Sequence, residues 1–98
     1  MTKLYVESAK LTFCIEHATS LKDKRQVSRS LIDKARHKFN ASVAEVDTQD
    51  LHQTLTIGIA VVSGDIAVAQ HSLDEFIRFM EDTAEFLGAE LTNIEIMP

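Results

Sequence analysis

Three carboxylates and a histidine near the middle of the chain, Glu45, Asp47, Asp50 and His52, have side chains suited to a metal or acid–base site. Carboxylate oxygens are the hard ligands that Mg²⁺ and Ca²⁺ prefer. In a strand, alternation would place Glu45 and Asp47 on one side, and the loop that follows could bring Asp50 or His52 back to them. The spacing matches no calcium-binding loop, and the alternative is that Asp50 accepts hydrogen bonds from turn amides. The metal hypothesis therefore comprises Glu45, Asp47 and Asp50, and we expect no cofactor otherwise.

The single cysteine, Cys14, is the only candidate nucleophile with a nearby base, because His17 follows three residues later. Residues three apart in a strand point to opposite faces, which argues against a nucleophile–base pair. The sequence contains no glycine-rich phosphate loop, no zinc-ligand spacing and no nucleophile elbow. We therefore expect no catalytic residues and no enzymatic activity.

Basic residues are concentrated in one segment of an otherwise acidic chain. The formal net charge is −5, yet residues 21–38 contain seven Lys or Arg residues against two Asp residues. At 3.6 residues per turn, four of the cations share one exposed side of a helix, with Asp33 among them and with Lys24 and Lys38 at its margins. We call this side the basic face: Lys22, Arg25, Arg29 and Arg36. It predicts contacts to nucleic-acid phosphates, and the alternative is a solvated face neutralised by an acidic neighbouring helix.

Local patterns predict the elements that carry these residues. Strands are expected over residues 3–16, 41–47, 54–63 and 89–96, of which 54–63 is apolar on both faces. A helix is expected from Ser20, with Asp23 completing a capping box, to a left-handed stop at Asn40. A second amphipathic helix, with an acidic outer side, is expected to be capped by Ser63 or Asp65 and ended by Gly88.

The element order β-α-β-β-α-β predicts a single α+β domain over residues 1–98. Right-handed crossovers place both helices on one face of a four-stranded antiparallel sheet with strand order 4-1-3-2, the ferredoxin-like sandwich. The other face would be bare, with small and apolar residues on its central strands. Such a surface predicts a homodimer or another protein interface, formed by Thr12, Cys14, Gly58, Ala60 and Val62. It lacks the aromatic residues that sheet-binding RNA modules use.

Three blocks in order, SLKDKR (residues 20–25), FNASVAEVDTQD (39–50) and IGIAVVS (57–63), resemble the YlxP-like family of small bacterial proteins. The resemblance implies a ferredoxin-like fold and no established activity. Genes of that family often lie among genes for translation and ribosome maturation, which implies a role connected with RNA. The chain departs from similar sequences at His52, where an aromatic residue is usual.

The sequence lacks both a charged segment followed by an apolar stretch and an apolar run of about 20 residues, so we expect a cytoplasmic protein without contact to membranes. Taken together, the patterns predict a non-enzymatic binding protein that contacts RNA or ribosomal particles through the basic face. The alternative is a homodimeric protein–protein interaction module with no nucleic-acid role.

Overall fold

The computed structural model describes residues 3–98 and has the predicted element order. In chain order the elements are β1 (Tyr5–Cys14), α1 (Leu21–Lys38), β2 (Ser42–Glu45), β3 (Thr54–Ser63), α2 (Ile66–Phe86) and β4 (Glu90–Met97). The sheet order is β2-β3-β1-β4, and all neighbours are antiparallel. This confirms the predicted ferredoxin-like βαββαβ sandwich. The predicted strand order 4-1-3-2 is the same order read from the opposite edge of the sheet. The first two residues of the predicted domain lie outside the described part.

The core lies between the sheet and the two helices. Ala9, Leu11 and Phe13 of β1 are buried, as are their partners across the pairing with β3, Ile59, Ile57 and Leu55. From α2, the buried residues repeat every three or four positions: Ala69, Leu73, Phe76, Met80 and Ala84. These are the inward positions that the period-2 and period-3.6 patterns predict, because burying apolar area stabilises both kinds of element.

The start of α1 follows the predicted capping box with one change of partner. The Ser20 hydroxyl accepts a hydrogen bond from the backbone N–H of Asp23 at 3.1 Å. The Asp23 carboxylate accepts from the backbone N–H and the hydroxyl of Thr19, both at 2.9 Å, rather than from the backbone N–H of Ser20. These hydrogen bonds stabilise the charged form and hold the pKa of Asp23 below its ordinary value.

The end of α1 differs from the prediction. The helix stops at Lys38, and its cap, Phe39, has extended backbone with φ −121°, so no left-handed Asn40 is needed. The Phe39 ring instead stacks on Phe76 of α2, with centroids 4.6 Å apart. Because burial of an aromatic ring outweighs the preference of one residue for a helix end, packing decides where α1 ends.

The boundaries of α2 agree with the prediction. The Asp65 carboxylate accepts hydrogen bonds from the N–H groups of Ala67 and Val68. At the other end Gly88 has φ +83°, the left-handed conformation that glycine adopts at low cost. The loop here is also tight, since a Cβ on Gly88 would lie 2.8 Å from Nε2 of His17.

Candidate nucleic-acid interface

Three of the four residues of the basic face are exposed and make no ion pair within residues 3–98: Lys22, Arg25 and Arg29. They lie on successive turns of α1, at spacings of three and four that bring helical side chains together. The fourth, Arg36, is exposed but donates a hydrogen bond from Nη2 to the backbone carbonyl of Val43 in β2, at 3.0 Å. The basic face therefore lies on the flank of α1 that is turned toward β2.

The prediction that Lys24 lies at the margin of this surface is wrong. Lys24 is 1% exposed. Its Nζ donates hydrogen bonds to the backbone carbonyls of Thr48 and of Leu51, the latter at 2.7 Å, and lies 2.9 Å from Oε2 of Glu45. The Oε2 atom is out of hydrogen-bond alignment, so this contact is an electrostatic one. Lys24 thus ties the loop between β2 and β3 to α1 and is not available to phosphates.

The carboxylates on α2 do not pair with the basic face. The ion pairs among residues 3–98 are Lys10–Asp47, Lys10–Glu95, Lys24–Glu45 and His71–Glu75, and none joins α1 to α2. The helices instead meet through aromatic packing, in which Phe79 lies edge-on to Phe39 at 5.3 Å. The cations of α1 are therefore not neutralised by ion pairs with the carboxylates of α2.

The carboxylates of the metal hypothesis are not brought together. Glu45 lies on the helix-covered side, where its Oε1 accepts from the Ser28 hydroxyl, whereas Asp47 contacts Lys10 on the opposite face. The predicted alternation fails because β2 ends at Glu45 and Asp47 has φ +57°, which turns the chain. Asp50 is exposed in the loop. Across residues 3–98, no group of three His, Cys, Asp or Glu side chains is arranged to hold a metal ion.

The face of the sheet without helices carries all five residues of the predicted interface. Thr12, Cys14, Gly58 and Ala60 are half-buried, and Val62 is 64% exposed. Lys10 lies among them, with Nζ 2.6 Å from Oδ2 of Asp47 and 3.6 Å from Oε2 of Glu95. The hydrogen bond to Asp47, and the charge of that carboxylate, raise the pKa of Lys10. The centre of this face is thus a paired cation within small side chains.

A second surface was missed in the sequence because its aromatic residues lie outside the apolar stripe of α2. Phe79 and Phe86 are seven residues apart, and so fall on one flank of the helix. Together with Lys34 and Lys38 of α1 they line an open groove of about 690 Å³. We call it the helix groove. The seven-residue spacing of Phe79 and Phe86 is the sequence signal that could have revealed this groove.

The architecture defines the chain as a ferredoxin-like α+β sandwich. A family model described as a protein of unknown function, DUF503, matches residues 6–96, and the chain belongs to that family. The uncharacterized protein YlxP of Bacillus subtilis (strain 168) is 34% identical over 71 residues, which are 72% of this chain and 77% of that protein. The YlxP-like resemblance of the sequence is thereby confirmed.

Solved structures of low sequence identity share the fold. A C-terminal segment of the alpha subunit of aIF2 from Pyrococcus abyssi has a TM-score of 0.60 at 12% identity, over 100% of this chain and 53% of that one. A dinuclear metal-binding peptidase of the M20 family from Bacillus subtilis, YXEP, has a TM-score of 0.67 at 13% identity, over 99% and 26%. The chain thus spans about half of the first structure and a quarter of the second. The fold of this chain therefore recurs in proteins of different kinds.

Within residues 3–98, neither helix is both long and apolar enough to cross a membrane.

Proposed function

We propose that this protein is a non-enzymatic RNA-binding protein that contacts structured RNA, alone or in a ribosomal particle, through the basic face of α1. The observation that carries the proposal is the exposure of Lys22, Arg25 and Arg29 without any carboxylate partner in the described chain. A free cation next to a phosphate releases condensed counterions, which is the main source of affinity for nucleic acid.

The placement of the charges supports an oriented contact. The chain as a whole is acidic, with a net charge of −5, and the outer side of α2 carries Asp74, Glu75, Glu81, Asp82 and Glu85. Phosphates are therefore repelled by the outer side of α2 and attracted by the cations of α1. Gln26 and Asp33 are exposed among the cations on α1, and no aromatic side chain accompanies them there, so recognition depends mainly on backbone shape and charge.

The test is the salt dependence of binding to ribosomal RNA fragments and to ribosomal subunits. Three or four phosphate contacts predict a slope of about −3 in log affinity against log salt concentration. The double variant Arg25→Ala/Arg29→Ala removes two of them, so its slope is expected to flatten by about 2 and its affinity to fall most at low salt.

A matched control removes the same charge elsewhere. Lys3 and Arg78 are exposed and lie off the basic face, so Lys3→Ala/Arg78→Ala has the same net charge as the test variant. We expect this control to retain the slope of the original protein. Equal binding by both double variants, or no binding by the original protein at low salt, would contradict the proposal.

A second candidate function, a homodimeric interaction module, is favoured by the uncovered sheet face. Val6 and Val62 are directly opposite each other in the pairing of β1 with β3 and are 58% and 64% exposed. Cross-strand neighbours of this kind form one apolar patch, and a second copy of the chain would cover it with an identical patch. Light scattering at micromolar concentration distinguishes a dimer from a monomer of 11.0 kDa.

A further inference from the structure

The helix groove contains the most exposed aromatic side chain of residues 3–98. Phe86, the last residue of α2, is 86% exposed, the highest value among the large apolar side chains. The groove volume of about 690 Å³ falls within the usual range for small-ligand sites, roughly 300–1,000 Å³. A planar ligand resting on Phe86 would remove this ring from water.

One ring of the helix groove, that of Phe79, is held in place by the aromatic residues beneath it. The Phe79 ring is fixed edge-on against Phe39, which stacks on the fully buried Phe76 with an interplanar angle of 7°. From the other wall, Nζ of Lys38 lies 5.2 Å from the centre of the Phe79 ring, a cation–π contact. The groove therefore has aromatic rings on its α2 wall and cations on its α1 wall.

We propose that the helix groove binds one unpaired nucleobase of an RNA strand, stacked on Phe86, with Lys34 and Lys38 at the flanking phosphates. Aromatic side chains beside cations are how proteins hold single-stranded nucleic acid, since every base has a π face. The inference rests on the proposed function, because it extends the same RNA across α1. The basic face lies toward β2 and the groove toward α2, so the strand would cross one helix, a width of about 10–12 Å.

The charged side chains in the groove favour a nucleobase over an apolar protein segment. Asp33 and Asp82 lie in the groove with Lys34 and Lys38, so four charges surround the rings. A protein segment that filled the groove would strip water from all four, and the cores of protein interfaces are depleted of such residues. A nucleotide offers a partner to each sign: phosphate oxygens to the lysines, and base amino groups to the carboxylates.

The two carboxylates also predict a preference among bases. Asp33 and Asp82 can only accept hydrogen bonds when ionised. Cytosine, adenine and guanine each have an exocyclic amino group that donates, and uracil has none. We therefore expect oligo(C) and oligo(A) to bind more tightly than oligo(U).

The test uses short single-stranded RNA that contains 2-aminopurine, whose fluorescence falls when the base stacks. The protein has no tryptophan and one tyrosine, so its own emission is weak. We expect Phe86→Ala to weaken binding about tenfold and to abolish the quenching. Phe86→Leu keeps an apolar side chain but has no π face, and we expect it to behave like Phe86→Ala. Because Phe86 is exposed, the melting temperature of both variants is expected to match that of the original protein.

The outcomes separate this inference from the proposed function. If the helix groove binds a base, Phe86→Ala lowers affinity for single strands and leaves affinity for duplex RNA unchanged, whereas Arg25→Ala/Arg29→Ala lowers both. Quenching that persists in Phe86→Ala would overturn the inference, as would tight binding and quenching by Phe86→Leu, or equal affinity for oligo(U) and oligo(C). An arginine variant that binds duplex RNA normally would overturn the proposed function, while loss of quenching at Phe86 would still support the groove.

Discussion

Lys24 links α1 to the loop between β2 and β3 by three contacts that converge on one nitrogen atom. Its partners are two backbone carbonyls, of Thr48 and Leu51, and the carboxylate of Glu45, whose side chain is 21% exposed. A buried ammonium is costly unless it is paired and hydrogen-bonded, and here both conditions are met. Replacing Lys24 and replacing Glu45 should therefore lower the free energy of unfolding by different amounts.

We predict that Lys24→Met lowers the free energy of unfolding by about 2–4 kcal/mol, because Glu45 loses its ion-pair partner and two carbonyls lose their hydrogen-bond donor. Glu45→Gln should cost about 1 kcal/mol, since Lys24 keeps both carbonyl acceptors. Denaturant unfolding measures both values. Lys22→Met, at an exposed position of the same helix, is the control. If Lys24→Met were as stable as Lys22→Met, the linking role of Lys24 would be wrong.

Asp23 makes stability depend on pH in acid. Its folded-state pKa is lower than the ordinary value of 3.8, because Thr19 donates two hydrogen bonds to the charged carboxylate. Because the pKa is lowered, the contribution of Asp23 to the free energy of unfolding is complete well above pH 3.8. It is lost as the pH falls through the pKa of the folded state.

We therefore expect Asp23→Asn to lower the melting temperature at neutral pH and to differ less and less from the original protein as the pH falls below about 4. Ser20→Ala removes the other half of the cap but no ionisable group, so its cost of about 1 kcal/mol should vary less with pH, since Ser20 contributes less than Thr19 to the lowered pKa of Asp23. Thermal unfolding at neutral and acidic pH distinguishes the two. A constant difference for Asp23→Asn would contradict the assignment.

At the scale of elements, the end of α2 combines a backbone requirement with a close contact. Gly88 needs a left-handed conformation, and His17 from the β1–α1 connection approaches to where a Cβ would be. The Nε2 atom of His17 also lies 3.5 Å from the carbonyl oxygen of Leu87. The two connections are therefore packed against each other.

We predict that Gly88→Ala destabilises the fold by about 1–3 kcal/mol, from the strained backbone and the clash together. Gly64→Ala is the matched control, because its nearest neighbour would be the carbonyl oxygen of Lys3 at 3.8 Å, an ordinary contact. Adding His17→Ala to Gly88→Ala should recover only the part due to the clash. Equal stability of the Gly64 and Gly88 variants would show that neither constraint acts.

At the scale of the whole molecule, the central strands β1 and β3 extend beyond the edge strands β2 and β4. β2 pairs with residues 57–60 of β3, and β4 pairs with β1 no further than Ser8, so Tyr5–Glu7 and Val61–Ser63 continue as a two-stranded end. The molecule is correspondingly elongated, with extents of 51 × 22 × 18 Å. Val6 and Val62 expose their side chains at this end.

If a second copy covers this apolar patch, Val62→Lys should weaken self-association by about tenfold or more, because each dimer would bury two unpaired ammonium groups. Val68→Lys is the control, since Val68 is 53% exposed on α2, away from the uncovered face. Sedimentation of the original protein and both variants at matched concentrations gives the answer. A monomeric original protein, or a Val62→Lys dimer of unchanged affinity, would reject the homodimer.

The sequence by itself determined the element order and the sheet topology. The alternation along 3–16, the stripe of α2 and the residues Ser20, Asp65 and Gly88 act within one or two turns of chain, where sterics and local hydrogen bonds dominate. The right-handed crossover rule then left one arrangement.

The tertiary structure decided which charged residues are free. Lys24 and Arg25 are adjacent in sequence, yet Lys24 is buried against residues about 24 positions away and Arg25 is exposed. Glu45 and Asp47 have the same spacing as strand neighbours, but the positive φ of Asp47 sends them to opposite faces. Phe39 ends α1 because Phe76 lies beneath it. In each case the deciding partner is distant in the chain, so periodicity and local propensity carry no information about it.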